Sequence, residues 1–444
     1  MSREMKDSGI PWIGEIPKDW AVIQLKRIKD EYHPYPIGDG DHGSIKPEDY
    51  IDEGIPYIRV QNMTWGGNLI LNNIVYISKE VNEKNLKSEL HPQDILIAKT
   101  GATIGKTAII PDNMPKANTT SSVAKVTVSK KQYYKFIFYL LNSDVCFTQM
   151  WLRAQQKSAQ PGFNIDELVD FIITLPSYSE QQNIAEFLDK KCGEVDEMIT
   201  LQEQIIEELK VYKQSVITEA VTKGLNPNVT MKDSGIEWIG EIPEHWEIKK
   251  IKHLSHVVRG GSPRPAGDLR YYVGNIPFMK VADITKDDKI YVDKCEYTIK
   301  EAGLSHTRMI KPNTLLLTNS GATLGVPKIN TFDTTFNDGI AAFLNLDISL
   351  DIIFAYYSLK ARTQYFLDSA SLGIGQPNLN TDIIGSTYLL VPPIYEQQII
   401  VDFLNEKCAD VDALISIKQR KIESLKEYKK SIIYDYVTGK KEVL

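Results

Sequence analysis

Cysteine is scarce in this chain: 444 residues hold only four. Cys146, Cys192, Cys295 and Cys408 stand far apart and form no CxxC, so neither a disulfide framework nor a zinc site is expected. Long apolar runs are missing as well. No stretch approaches the ~18 consecutive apolar residues that a bilayer span requires. The opening segment, with Arg3, Glu4, Lys6, Asp7, Glu15, Lys18 and Asp19, offers no signal-peptide core. The expectation is a reduced, cytoplasmic protein with no membrane partner. Excess positive charge is absent too: 51 basic against 58 acidic residues leave a net charge of −7, which argues against gripping nucleic acid by bulk electrostatics alone. Catalytic signatures are also lacking. There is no HExxH, no GxSxG, no kinase signature and no Cys/His pair at ligand spacing. The (N/D)PP(Y/F) tetrad and glycine-rich cofactor loop of adenine methyltransferases are missing, so no enzyme and no metal site are expected.

What the chain does have is internal repetition, which resets the reading of the fold. Residues 5–20, MKDSGIPWIGEIPKDW, match residues 231–246, MKDSGIEWIGEIPEHW, at 13 of 16 positions. IPYIRVQNMT (55–64) pairs with IPFMKVADIT (276–285), and DILIAKTGATIGK (94–106) with TLLLTNSGATLGV (314–326). Residues 160–222 align with 376–438 without a gap, at 26 identities in 63. Two half-chains of similar length follow each other head to tail.

Each half begins with a region of short β-type runs separated by Gly, Pro, Asn and Asp turns, such as IPYIRV, DILIAK and NTLLLTNS. A long helical segment follows. From Glu180 to Val221 there is no proline, and apolar residues fall at a/d-type spacing with some members missing. The seam contains Ile184, Leu188, Val195, Ile199, Ile206, Leu209, Val216 and Ala220. Its repeat contains Ile400, Leu404, Val411, Ile415, Ile422, Leu425, Ile432 and Tyr436. Pro176 and Pro392 precede the helices, and Gly224 and Gly439 close them. Neither helix buries its seam alone, and antiparallel pairing with its twin is the simplest solution. The expected class is α+β: two similar β-rich mixed domains, 1–178 and 227–394, separated by helices at 179–226 and 395–444 that pair as an antiparallel coiled coil in a pseudo-twofold tandem repeat. Each globular region carries a net charge of −1, and the first helical segment carries −5.

Several motifs invite a chemical reading and resist it. Gly101-Ala-Thr-Ile-Gly105-Lys106 has three residues between its glycines where a phosphate-binding loop has four, and its copy, Gly321 to Gly325, is followed by Val326 and Pro327. A glycine-dependent turn after a strand accounts for both. Trp12, Trp20, Trp238 and Trp246 in the WIGEIPxxW segments could stack bases, but both copies keep them, which favours packing. His42, between Asp39 and Asp41, has no third ligand and no counterpart in the second copy, where RGGSPRP (259–265) fills the comparable loop. The framework repeats while the loops differ, which suits a reader of two different targets, DNA above all. The second copy clusters Lys249, Lys250, Lys252, Arg259, Arg264 and Arg270. The first offers Lys46, Arg59, Gln61, Asn62, Lys99 and Lys106, residue types that pair with guanine or adenine.

WIGEIPKDW with WIGEIPEHW, GDGDHGS followed by GIPYIRVQN, KTGATIGK, and the twice-repeated P…EQQxIxxFLxxKCxxVDxxI…IExLKxYKxSxI resemble the specificity (S) subunit of type I restriction–modification enzymes over essentially the full length. The resemblance implies two target recognition domains, 1–178 and 227–394, each reading one half of a bipartite, asymmetric double-stranded DNA sequence. It implies that the helices set the gap and dock two methylation (M) subunits, through which restriction (R) subunits join. S-adenosylmethionine, ATP and Mg would reside on those partners, none being bound here. By analogy, DNA contacts are expected from Asp39, His42, Lys46, Arg59, Gln61, Asn62, Lys99 and Lys106, and from Arg259, Ser262, Arg264, Arg270, Lys280, Asn319 and Ser320. A module of a methylation-only complex and a non-DNA scaffold bridging two partners remain as alternatives. The scaffold predicts equivalent loops in the two copies.

Overall fold

The computed structural model describes residues 3–156, 161–321, 323–371 and 378–443. The chain divides into two compact units, Met1–Glu203 with Arg420–Leu444 and Gln204–Gln419.

In the first unit, β1 (Ile37–Asp39), β2 (Ile55–Ile58), β3 (Ile95–Ala98), β4 (Ala117–Thr119) and β5 (Val123–Val126) carry the framework. A four-stranded antiparallel sheet runs Thr107–Ile109, β3, β5, β1. A five-stranded sheet runs Tyr50–Ile51, Val75–Ile77, β2, β4, Glu89–Leu90, with β2 and β4 parallel. The second unit repeats this plan with β6 (His256–Arg259), β7 (Tyr272–Met279), β8 (Leu315–Thr318), β9 (Thr334–Phe336) and β10 (Ile340–Leu344). There β6, β10 and β8 are antiparallel neighbours, and β7 and β9 pair in parallel. Continuous runs explain the buried strands: ILIA of β3 and LLLT of β8 are buried at every position, as strands covered on both faces must be.

Two long helices, α1 (Tyr178–Lys223) and α2 (Ile394–Val437), contribute one end to each unit. Their starts are fixed by the repeated EQQ. Buried Gln181 accepts from the backbone N of Tyr133 at 2.8 Å and donates to the carbonyl of Pro176 at 3.0 Å. Buried Gln397 accepts from Asp351 N at 2.8 Å and donates to Pro392 O at 2.8 Å. The preceding glutamates accept from tryptophan: Trp20 Nε1 donates to Glu180 at 3.2 Å and Trp246 Nε1 to Glu396 at 3.1 Å. Trp20 and Trp246 are fully buried, so they lock each unit's core and present no face to a base. The helices end at Gly224 and Gly439, both at positive φ. A Cβ on Gly439 would sit 2.4 Å from the Pro17 ring, so only glycine ends α2 there.

The helices run antiparallel within each unit. In the first, the Phe187 and Tyr436 rings pack tilted with centroids 4.4 Å apart, and Asp196 meets Lys429 at 2.7 Å. In the second, Lys213 meets Asp412 at 2.8 Å. Leu188, Val195, Ile422, Leu425 and Ile432 are buried in the first unit, and Ile199 is half-buried. In the second, Ile206, Leu404 and Val411 are buried, while Leu209, Val216 and Ile415 are half-buried. The seven-residue gaps in the apolar seam are filled by Cys192, Gln202 and Lys213 on α1, and by Cys408, Lys418 and Lys429 on α2, none of which is fully exposed.

Candidate nucleic-acid interface

In both units three strand ends and one loop that crosses between the two sheets converge. In the first, the β4–β5 loop is tied to the chain leaving β3 by Lys99 N donating to Ser122 O at 3.0 Å. It is tied to the chain leaving β1 by Ser121 N donating to Asp41 Oδ1 at 3.0 Å. In the second, Asn319 N donates to Gly339 O at 2.9 Å and Gly261 N to Phe336 O at 3.1 Å. These crossings are tight: a Cβ on Gly40 would lie 2.0 Å from the Thr120 carbonyl carbon, and one on Gly260 2.3 Å from Asn337 O. Three positions therefore correspond between units. Asp39 and Arg259 end β1 and β6, Arg59 and Lys280 follow β2 and β7, and Lys99 and Asn319 follow β3 and β8. The backbone cradle is shared, and the side chains it presents differ.

In the first unit the structure brings Asp39, His42 and Lys99 together. Lys99 and Asp39 form an ion pair with both side chains largely buried, and His42 Nε2 lies 3.1 Å from the other Asp39 oxygen while its ring is exposed. Lys46 and Gln61 are exposed. Asn62 is buried: its Oδ1 accepts from Arg59 N at 3.0 Å and its Nδ2 donates to Ile70 O at 3.1 Å, capping the turn that follows β2. Asp283 does the same in the second unit, accepting from Lys280 N at 2.8 Å. Arg59 is half-buried over the Tyr50 ring. Lys106 donates to Met63 O at 3.3 Å and lies 5.6 Å from the ring of Trp65, an exposed aromatic that the sequence reading passed over.

In the second unit Arg259, Ser262 and Arg264 gather on Asp338. Arg259 Nε donates to the Asp338 carbonyl at 2.6 Å, Ser262 Oγ to Oδ1 at 2.6 Å, and Arg264 Nη2 lies 3.4 Å from Oδ2. Burial would raise the Asp338 carboxyl, but the Ser262 hydrogen bond and the two arginines outweigh it and hold the group below the ordinary aspartate range. Arg270 does not join this cluster; it pairs with Asp268 at 2.6 Å. Lys280 sits 3.2 Å from the ring centroid of Tyr297. Asn319 is fully buried, and neither side-chain polar atom has a hydrogen-bond partner among the described residues. Ser320 is half-buried and bridges to Asn378. Asp338 and Arg308, whose Nε donates to Arg259 O at 3.1 Å, were not singled out from sequence; the NDG turn at 337–339 was the available signal. Among the described residues no group of three or more His, Cys, Asp or Glu side chains is placed to hold a metal ion, and no helix is long and apolar enough to cross a membrane.

The framework is presented twice, with different side chains at matched strand ends. The family model for the type I restriction modification DNA specificity domain matches residues 38–211 and 243–427, well over half of the chain, which therefore belongs to that family. The type I restriction enzyme MjaIX specificity subunit of Methanocaldococcus jannaschii is 24% identical over 443 residues, covering 97% of this chain and 95% of that protein. The EcoBI specificity subunit of Escherichia coli is 24% identical over 427 residues, covering 93% of this chain and 84% of its own. Among solved structures, a chain from a study of assembly and conformational transition of the type I R-M system superposes with a TM-score of 0.70 at 16% identity, over 96% of this chain and 99% of that one. The HsdS subunit from Thermoanaerobacter tengcongensis gives 0.51 at 15%, over 96% and 98%. The chain is thus a DNA-specificity subunit of a type I restriction–modification complex, which acts on DNA together with methylation and restriction subunits. Its family is that of the specificity component, distinct from the subunits that methylate and cleave.

Proposed function

We propose that the chain reads a bipartite, asymmetric double-stranded DNA target. Residues 1–178 would serve as one recognition domain and 227–394 as the other, with the helices of 179–226 and 395–444 setting the gap and docking two methylation subunits. The carrying observation is the set of matched positions with unlike chemistry: Asp39 against Arg259, Arg59 against Lys280, Lys99 against Asn319. A scaffold bridging two like partners has no use for that difference. A reader of two unlike half-sites requires it, because base edges are told apart by donor and acceptor patterns. The near-neutral charge of each globular region fits a division of labour in which the methylation subunits supply much of the phosphate grip. DNA contact is assigned to the side chains of the convergent loops that stay accessible, among them His42, Lys46 and Gln61 in one domain and Arg259 and Arg264 in the other. The test is to co-express the chain with its methylation subunit and map N6-methyladenine across host DNA by single-molecule sequencing. The expected result is one two-part motif with a fixed unspecified gap. A continuous motif, or a stable complex with no motif, would overturn the proposal.

A further inference from the structure

We propose that Asp338 is a positioning residue that presents Arg259 and Arg264 to guanine in the half-site read by the second domain. The inference rests on the two-domain reading above and names what one of those domains recognises. Guanine offers O6 and N7 in the major groove, and the forked guanidinium of arginine is its usual bidentate partner. A long exposed side chain reads poorly when it is free to wander, and a fixed acceptor on one edge leaves the other edge aimed. Asp338 supplies two such anchors. Its carbonyl takes Arg259 Nε at 2.6 Å, which leaves both terminal nitrogens of Arg259 without a partner among the described residues. Its carboxylate takes one nitrogen of Arg264 at 3.4 Å, and Arg264 is otherwise 72% exposed. Ser262 donates to the second carboxylate oxygen at 2.6 Å, which fixes the orientation of the carboxylate that Arg264 meets. Arg308 steadies the backbone of Arg259 at 3.1 Å. Among the described residues the first domain has no such device. Ser121 stands where Asp338 does, one residue before the matched loop end, and the carboxylate at the position of Arg259 is taken by a lysine.

The experiment uses the full chain with its methylation subunit and compares adenine methylomes of the wild type with Asp338→Ala, Asp338→Asn and Arg264→Ala. Discrimination for guanine should fall by about tenfold or more at the position that Arg264 reads. That position should be shared by Asp338→Ala and Arg264→Ala and should lie in one half of the motif, with the other half unchanged; the anchor of Arg259 is the main-chain carbonyl, which these substitutions leave in place. Asp338→Asn keeps an acceptor for Ser262 and should lose less. A methylome of Asp338→Ala that matches the wild type, or relaxation spread equally over both halves, would overturn the assignment. If Asp338→Ala does not fold, Asp338→Asn and Arg264→Ala decide: relaxation at different positions, or in different halves, would overturn it equally. A wild type with no two-part motif would count against the two-domain reading itself, a separate outcome.

Discussion

Lys429 on α2 places its ammonium 2.7 Å from both carboxylate oxygens of Asp196 on α1, and the repeat places Lys213 2.8 Å from both oxygens of Asp412. Both lysines occupy seam positions that the apolar spacing leaves vacant, and their side chains are only 16% and 11% exposed. Burial alone would lower Lys213, yet Asp412 and Asp288 outweigh it and raise its pKa. A charge in a seam fixes register, because sliding one helix would strand the ammonium without its acid. A double-mutant cycle on Lys429→Ala and Asp196→Ala, followed by urea unfolding, should give a coupling of about 0.5–2 kcal/mol. A coupling of zero would show that the pair has no part in register.

The buried glutamines of the EQQ repeats should be worth more than any surface contact. Gln181→Ala removes the acceptor for Tyr133 N, in a part-buried contact, and the donor to Pro176 O, in a buried one. The loss should be about 2–4 kcal/mol, as expected when a buried and a part-buried polar group lose their partner. Gln397→Ala should cost a similar amount in the second unit, where Asp351 N, Pro392 O and Ser349 O depend on it. Unfolding curves by circular dichroism measure both; a loss under 1 kcal/mol at either site contradicts the assignment, given that magnitude.

Neighbouring residues after β2 should separate stability from reading. Asn62 is spent on the backbone of Arg59 and Ile70, so Asn62→Ala should lower stability by about 1–2 kcal/mol through the lost cap. Gln61 is exposed, so Gln61→Ala should leave stability unchanged within about 0.5 kcal/mol. Its effect should appear instead as altered base preference in the methylation motif. Equal melting losses for the two variants would refute this division.

Acid sensitivity should trace to Glu89. Burial pushes its carboxyl up, but hydrogen bonds from Lys116 at 2.9 Å and Asn82 at 2.7 Å, with His91 nearby, hold it below the ordinary glutamate value. A group lowered on folding contributes its full stability above the unfolded value and loses it as pH falls through the folded one. Stability should therefore drop as pH falls through and below the ordinary glutamate range, and Glu89→Gln should flatten that limb. An identical pH profile for wild type and variant would contradict this.

How far the sequence reaches is clear from particular residues. The repeat is legible as residue identity, the β-rich halves as short apolar runs between turn residues, and the helix seam as apolar residues at a/d spacing, which burial of one helix face imposes. Lys213 and Lys429 escaped because a seam position filled by a charge looks like a gap until the partner acid, some two hundred residues away, is known. Asn62 has the side chain of an adenine reader, and only its capping role after β2 shows where its hydrogen bonds go. Its position three residues past Arg59, matched by Asp283 past Lys280, was the available signal of a cap. For Asp338 the NDG sequence marks only a turn, and Arg259 meets Asp338 and Arg308 only when β6, β10 and the turn before β10 are assembled.

The central claim is that two like frameworks read two unlike half-sites. The most direct test is to replace residues 227–394 with a second copy of 1–178, keep both helices, and map N6-methyladenine in cells that also express the methylation subunit. Both halves of the motif should then carry the bases of the first half-site, and the original second half should be lost. A chimaera that still methylates the original asymmetric sequence would contradict the account.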